Sequence, residues 1–219
     1  MELFSFLFGV IFGSFLNLLI GKLPIEKSKI STKNPYQNFI VGIFCGFITL
    51  ALYIKFSLCL EFLYALIFFY ILIALSFIDF RYKAVPDYLL LLGFILSFFA
   101  SEFSFVDSLK NAFIISGIFV LLNFLVTFYI QNIKSRILKN ESLKNQEALG
   151  EGDIPILAAI GAVLGLKGAL IAIFLGALFA IIPSIYYNIK KKDIQTPFIP
   201  YLVSGFIIEY FFDISKVFN

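Results

Sequence analysis

Long apolar runs separated by short charged gaps constrain this chain more than any other feature. ELFSFLFGVIFGSFLNLLIG, residues 2–21, is the first of them. The hydrocarbon core of a bilayer takes about 20 such residues as a helix. Inside it each backbone N–H and C=O must be paired, which leaves only helices and closed barrels. The runs are continuous and do not alternate with period two, which argues against a barrel. Apolar residues make up 61% of the 219, with mean hydropathy +0.98, whereas soluble domains hold roughly 45–50%. The expected fold is all-α, a polytopic membrane helical bundle of about eight transmembrane segments in a single integral-membrane domain, residues 1–219.

The segments are expected near residues 3–21, 38–54, 60–78, 88–104, 111–131, 154–166, 168–189 and 197–213. The sixth is short for a full span, so it tilts, starts below the surface, or forms a helical hairpin with the seventh. The first run has no A-x-A-like site after it and is expected to be retained. Two loops exceed a tight turn, residues 22–37 and 131–150. Placing the N-terminus outside puts thirteen of the 17 Lys and Arg residues in inner loops. The positive-inside rule then leaves both termini outside. A net charge of +3 made up in this way calls for anionic lipid as the partner surface, not nucleic acid.

Histidine is absent. That removes Ser-His and Cys-His catalysis and any His-ligated metal or haem. Two cysteines, Cys45 and Cys59, cannot make a four-thiolate zinc site; both read as small hydrophobes in helix packing. Gly9/Gly13, Gly42/Gly46 and Gly161/Gly165 have the small-xxx-small spacing of close helix contacts.

Most of the 14 acidic residues fall in loops or near helix ends, Glu209 among them at the outer interface. Asp79 and Asp153 differ. Asp79 ends the third apolar run, in ALSFIDFRYKAVPDYLLLL, and Asp153 opens the sixth, in ALGEGDIPILAAIG. The expected topology brings both to one membrane face. Two carboxyls at one depth on different helices can act as an aspartyl-protease pair, since neighbouring like charges cannot both ionise. One carboxylate takes a proton from water while the neutral partner polarises the scissile carbonyl. Gly150 and Gly152 let an extended substrate backbone approach Asp153. The plain alternatives are an Asp153 N-cap and an Asp79 paired with Arg81 or Lys83. Intramembrane acids also serve ion pathways. Asp87, in VPDYLL, ranks behind Asp79; its simplest role is an N-cap, with a supporting role at the site as the other reading.

With these residues in view, the chain resembles the type IV prepilin peptidases, membrane aspartyl proteases of the GxGD class. Four segments carry the resemblance in order: GSFLNLLIGKLP (Gly13 to Pro24), IDFRYKAVPD (Ile78 to Asp87), GEGD (Gly150 to Asp153) and TPFIPYLVSG (Thr196 to Gly205). GxGD alone is weak; the ordered set is specific. The resemblance implies an aspartic endopeptidase of the bacterial inner membrane that removes the basic leader from type IV prepilins or type II secretion pseudopilins at the cytoplasmic face. It makes Asp79 and Asp153 the catalytic pair and Gly150 and Gly152 the motif glycines. Glu151, beside them, is a candidate contact for leader Lys or Arg, or else a solvated loop acid. No cofactor is expected.

Two departures stand out. Many relatives carry two Cys-x-x-Cys pairs in a zinc domain between the first two helices and also N-methylate the product. Here residues 22–37 hold no cysteine, so the expectation is cleavage without zinc or methylation. Many also place a lysine two positions after the GxGD aspartate, where this chain has Pro155. The competing class is a proton- or ion-coupled transporter using Asp79 and Asp153, though such sites tend to lie nearer mid-membrane.

Overall fold

The computed structural model describes residues 1–20, 35–138, 141, 144, 148–189 and 197–218. Among these, every regular element is helical: α1 (Glu2–Ile20), α2 (Pro35–Phe56), α3 (Leu60–Tyr82), α4 (Asp87–Phe99), α5 (Phe105–Phe128), α6 (Ser135–Leu138), α7 (Asp153–Ile189) and α8 (Ile199–Phe212). The chain is a multi-pass membrane protein. The expected loop 22–37 lies mostly outside the described residues, and only its last three residues enter α2.

α1 and α2 form one antiparallel pair. Gly9 and Gly13 pack against the Cys45–Thr49 stretch, and Gly42 and Gly46 against Phe6, Val10 and Ser14, with no room for a Cβ at Gly9, Gly13 or Gly46. Between lipid-exposed helices there is little hydrophobic drive, so this close backbone approach supplies the packing. The pair is tied to α3 by a buried hydrogen bond between the Thr49 and Tyr70 hydroxyls, 2.7 Å.

α3 is the central helix, with thirteen of its residues buried. Phe68 and Phe69 meet Phe206 and Tyr210 of α8 at ring-centroid distances of 5.0–5.8 Å; such pairs contribute about 0.5–1.5 kcal/mol each. α3 also outlasts its apolar run. Hydropathy falls at Ile78, but the backbone ladder continues to Tyr82 and closes at Lys83, whose left-handed φ of 52° lets its N–H bond the Asp79 carbonyl. Asp79 therefore lies within the last turn of the helix and not beyond it.

α5 starts earlier than its hydropathy indicates, and helix continues beyond it past the expected limit. Ser104 caps it by accepting the Asp107 N–H. At the other end nothing in residues 129–138 breaks the ladder, which loosens into a π-helix (Tyr129–Lys134) and tightens again in α6. Residues 131–138 are thus helix and not loop.

α7 breaks at Gly165, where φ is 71° and ψ 177°. Its two arms, residues 153–164 and 166–189, run antiparallel. The first arm ascends beside α4, from Gly152 near Leu90 to Ala162, whose carbonyl accepts the Ser101 hydroxyl. The second descends along α8, with Gly168 near Glu209, Ala172 against Gly205 and Gly176 against Leu202. α4 and α8 both run opposite to α3, as Gly93 meeting Ile71 and Leu75 and Asp79 meeting Ile199 require. The arms are the expected sixth and seventh segments, joined as a hairpin. Its turn falls at Gly165 and not at Lys167, because only glycine takes that backbone conformation cheaply. Gly165 therefore serves the turn, while Gly161 serves packing against Ile115.

Two further expectations are corrected. Glu209 is 2% exposed, not interfacial, and both its carboxyl oxygens accept the Ser215 N–H, at 3.1 and 3.3 Å. Cys45 is buried in the α1–α2 contact as expected, but Cys59 is exposed and caps α3, its Sγ accepting the Phe62 N–H.

Candidate active site

The four-residue turn before α7 is built by Asp153 itself. The Asp153 N–H bonds the Gly150 carbonyl at 3.0 Å, and the Gly150 N–H returns to Asp153 Oδ2 at 3.2 Å. This reciprocal pair resembles the back-bond of a capping box, in which an acidic side chain reaches the N–H three residues earlier. A Cβ on Gly150 stands 3.2 Å from that same oxygen. Glycine is needed there so that the carboxyl can keep its place. At Gly152 a Cβ meets only Leu90 at an ordinary 3.5 Å.

Two polar side chains of α5 hold the approach to this turn. Asn123 Oδ1 accepts the Leu149 N–H at 2.9 Å, and Thr127 Oγ1 accepts the Ala148 N–H at 3.1 Å. The Thr127 hydroxyl donates to Asn123 at 3.3 Å. Both residues lie within an apolar run, and their one-turn spacing places them on one face.

Asp79 enters from α3, and α8 begins against it. The Ile199 N–H donates to Asp79 Oδ2 at 3.1 Å, a buried bond, and the Phe198 N–H also bears on the carboxyl. The first N–H groups of a helix have no partner within it and point outward with the positive end of the helix dipole. Here they find one in Asp79. The Lys83 charge acts on Asp79 as well; among the described residues no comparable cation acts on Asp153.

The structure brings Asp79 and Asp153 together at one end of the bundle. Each is 8% exposed, and Asp153 lies within reach of the Asp79 charge. Around them the bundle is apolar, with Ile78, Ile156, Leu157 and Ile199 at 2% exposure or less. Of the two plain readings, Asp153 does close its own helix start, while Asp79 faces backbone N–H groups of α8 with the Lys83 charge also acting on it. Water and a peptide carbonyl placed between two such carboxyls meet a base and an acid at once.

Asp87 is not an N-cap. Pro86 occupies that position without a side-chain bond, and Asp87 is the first helical residue. It lines a cavity of about 380 Å³ together with Glu151, Gly152, Ile154 and Pro155, beside Asp153 and not between the two acids. The α8 contribution escaped the sequence reading because it comes from backbone. The signal was present in Pro200, since proline in a first turn marks a helix start with free N–H groups.

The family model for the type IV leader peptidase family matches residues 66–185. That span contains both aspartates, the cavity and the α7 hairpin, and excludes α1, α2 and α8. A prepilin leader peptidase/N-methyltransferase of Xanthomonas campestris pv. campestris is 29% identical over 195 residues. The alignment covers 87% of this chain and 63% of that relative, so the chain spans less than two thirds of the longer protein. No solved structure matches. With more than half its length inside the family model, the chain belongs to the type IV leader peptidase family.

Proposed function

We propose that the chain is a membrane-embedded aspartic endopeptidase that removes the basic leader of type IV prepilins or type II secretion pseudopilins, with Asp79 and Asp153 as the catalytic pair. The observation that carries this reading is the burial of both carboxyls at one end of the bundle, with the Asp79 charge acting on Asp153. Membership of the family supports the reaction class. Arg81 and Lys83 close α3 just after Asp79, and Lys134 and Arg136 follow the stretch of α5 whose Thr127 holds the approach to Asp153, which supports the cytoplasmic face of a bacterial inner membrane under the positive-inside rule.

In this reading Asp79 is the base, because two backbone N–H groups and the positive end of α8 favour negative charge on it. Asp153 is the acid. Asp79 takes a proton from water as the hydroxyl adds to the scissile carbonyl carbon, and Asp153 gives its proton to the carbonyl oxygen. The tetrahedral intermediate then collapses. The C–N bond breaks, the amine takes the proton held by Asp79, and the hydroxyl proton returns to Asp153. The products are a leader ending in a carboxylic acid and a shortened chain with a free amine, which then exchange a proton to give carboxylate and ammonium. Asp79 lies in the last turn of its helix and Asp153 opens its own, an edge position that suits a peptidase better than a mid-membrane ion pathway.

The test is incubation of the purified protein with a tagged prepilin. Wild type is expected to release the leader and Asp153→Ala to release none. Equal release by both overturns the assignment.

A further inference from the structure

The cavity beside Asp153 is lined by Asp87, Leu90, Leu91 and Phe94 of α4, Ser116 of α5, and Glu151, Gly152, Ile154, Pro155 and Ala158 around the start of α7. Its wall is polar at one end only. Asp87 and Glu151 are exposed, and among the described residues neither has an ion-pair partner. From Asp87 inward, α4 presents Leu90, Leu91 and Phe94, and the opposite wall is Ile154, Pro155 and Ala158. Ser116 turns its hydroxyl onto the Phe113 carbonyl and so adds little polarity. At about 380 Å³ the space suits one or two side chains and not a folded partner.

We infer that this cavity is the specificity pocket of the peptidase, taking an apolar substrate side chain in its depth and a neighbouring Lys or Arg at the Asp87–Glu151 mouth. This rests on the peptidase reading above. Charge complementarity selects the occupant. Two uncompensated carboxylates at a water-facing rim favour a cation, and the apolar wall beyond them favours the hydrophobic stretch that follows it. The order from mouth to depth, charged then apolar, is the order of a basic leader followed by a membrane segment. Gly152, Ile154 and Pro155 belong both to the cavity and to the turn that holds Asp153, so a side chain seated there sets which peptide bond faces the carboxyl pair. Asp87 and Glu151 act on selection and register, not on the reacting atoms.

The test uses the full-length protein in nanodiscs and two prepilin substrates, one with its native basic leader and one with the leader Lys and Arg changed to Glu. Wild type is expected to cleave the basic leader roughly tenfold faster, the scale of a rim charge pair acting on productive binding. Asp87→Asn/Glu151→Gln should cleave both at similar rates. Asp87→Lys/Glu151→Lys should prefer the acidic leader. Ser116→Phe fills the cavity from α5 and should raise KM roughly tenfold at nearly unchanged kcat, as loss of a side-chain pocket does. A neutral double variant that keeps the wild-type preference overturns the inference while leaving the peptidase intact. Unchanged KM in Ser116→Phe also overturns it. Wild type that cleaves neither substrate removes the peptidase reading, and this inference with it.

Discussion

Asp79 Oδ2 accepts the backbone N–H of Ile199, 120 residues further along the chain, at 3.1 Å. The bond joins the end of α3 to the start of α8, and it separates two substitutions that are often treated as equivalent. Asp79→Asn keeps an oxygen able to accept that N–H but cannot exchange protons. It should fold like wild type and release no leader. Asp79→Ala leaves the Ile199 N–H buried and unpaired, at a cost of about 1–3 kcal/mol, so it should lose both activity and thermal stability. Asp153→Asn should be inactive. Asp87→Asn should keep most of its turnover, because that side chain lines the neighbouring cavity and is not one of the carboxyl pair. Leader release with a melting curve for each variant checks the set; a dead Asp87→Asn beside an active Asp79→Asn would reverse the assignment.

The turn before α7 makes the two motif glycines unequal. Gly150→Ala sets a methyl 3.2 Å from Asp153 Oδ2 and must displace the carboxyl by a few tenths of an ångström. Gly152→Ala meets only Leu90 at van der Waals distance. Small displacements at a reacting group are costly, about 10²-fold for 1 Å. Gly150→Ala should therefore lower kcat by about tenfold or more, and Gly152→Ala by much less. The same logic applies to the side chains behind the turn. Thr127→Val removes the acceptor of the Ala148 N–H and should lower kcat with little change in KM, while Thr127→Ser, which keeps the hydroxyl, should restore it. Steady-state kinetics on one prepilin decide the comparison; equal loss in Gly150→Ala and Gly152→Ala is the outcome that counts against it.

Asp79 and Asp153 stand out in the sequence because a charge at the rim of an apolar run is rare and costly, and the eight segments follow from hydropathy and length. What escaped has a common cause: hydropathy measures side chains, whereas helix limits and N–H donors belong to the backbone. α3 runs past its apolar stretch to Tyr82 because its ladder has no reason to stop at Ile78. The Ile199 N–H is invisible to any residue scale, although Pro200 announces the helix start that exposes it. Glu209 looks interfacial by position, yet it is buried because the residues after α8 fold back to give it the Ser215 N–H. The α7 turn went to Lys167, the charged residue, when conformational need put it at Gly165.

Gly165 carries the next expectation. Its φ of 71° with ψ of 177° belongs to a region essentially confined to glycine, where another residue costs about 1–3 kcal/mol. A Cβ there also meets the Phe103 ring at 3.0 Å. Gly165→Ala should lower thermal stability and the yield of inserted protein. The turn lies twelve residues from Asp153, about 18 Å along a helix at 1.5 Å per residue, on the far side from the carboxyl pair. Leader release per folded molecule should therefore stay close to wild type. A variant with unchanged melting but lost turnover would show that the hairpin turn communicates with the site.

The relative from Xanthomonas is named for two activities, leader cleavage and N-methyl transfer, and this chain spans 63% of its length. Residues 22–37 hold no cysteine, and the two cysteines elsewhere cannot stand in. Cys45 is buried ten residues into α2, about 15 Å along the helix from Pro35. Cys59 caps the opposite end of α3 from Asp79. A tetrahedral zinc site needs four ligands at about 2.0–2.3 Å, and two thiols separated in this way provide none in common. The purified protein should hold no stoichiometric zinc, and chelators should leave its melting temperature unchanged. Given S-adenosylmethionine, it should cut a prepilin and leave the new amine unmodified. Methyl transfer does not itself require zinc chemically, so metal analysis alone does not decide the second point. Mass spectrometry of the mature fragment does: a gain of one methyl group at its first residue would show that the short interval suffices for both activities.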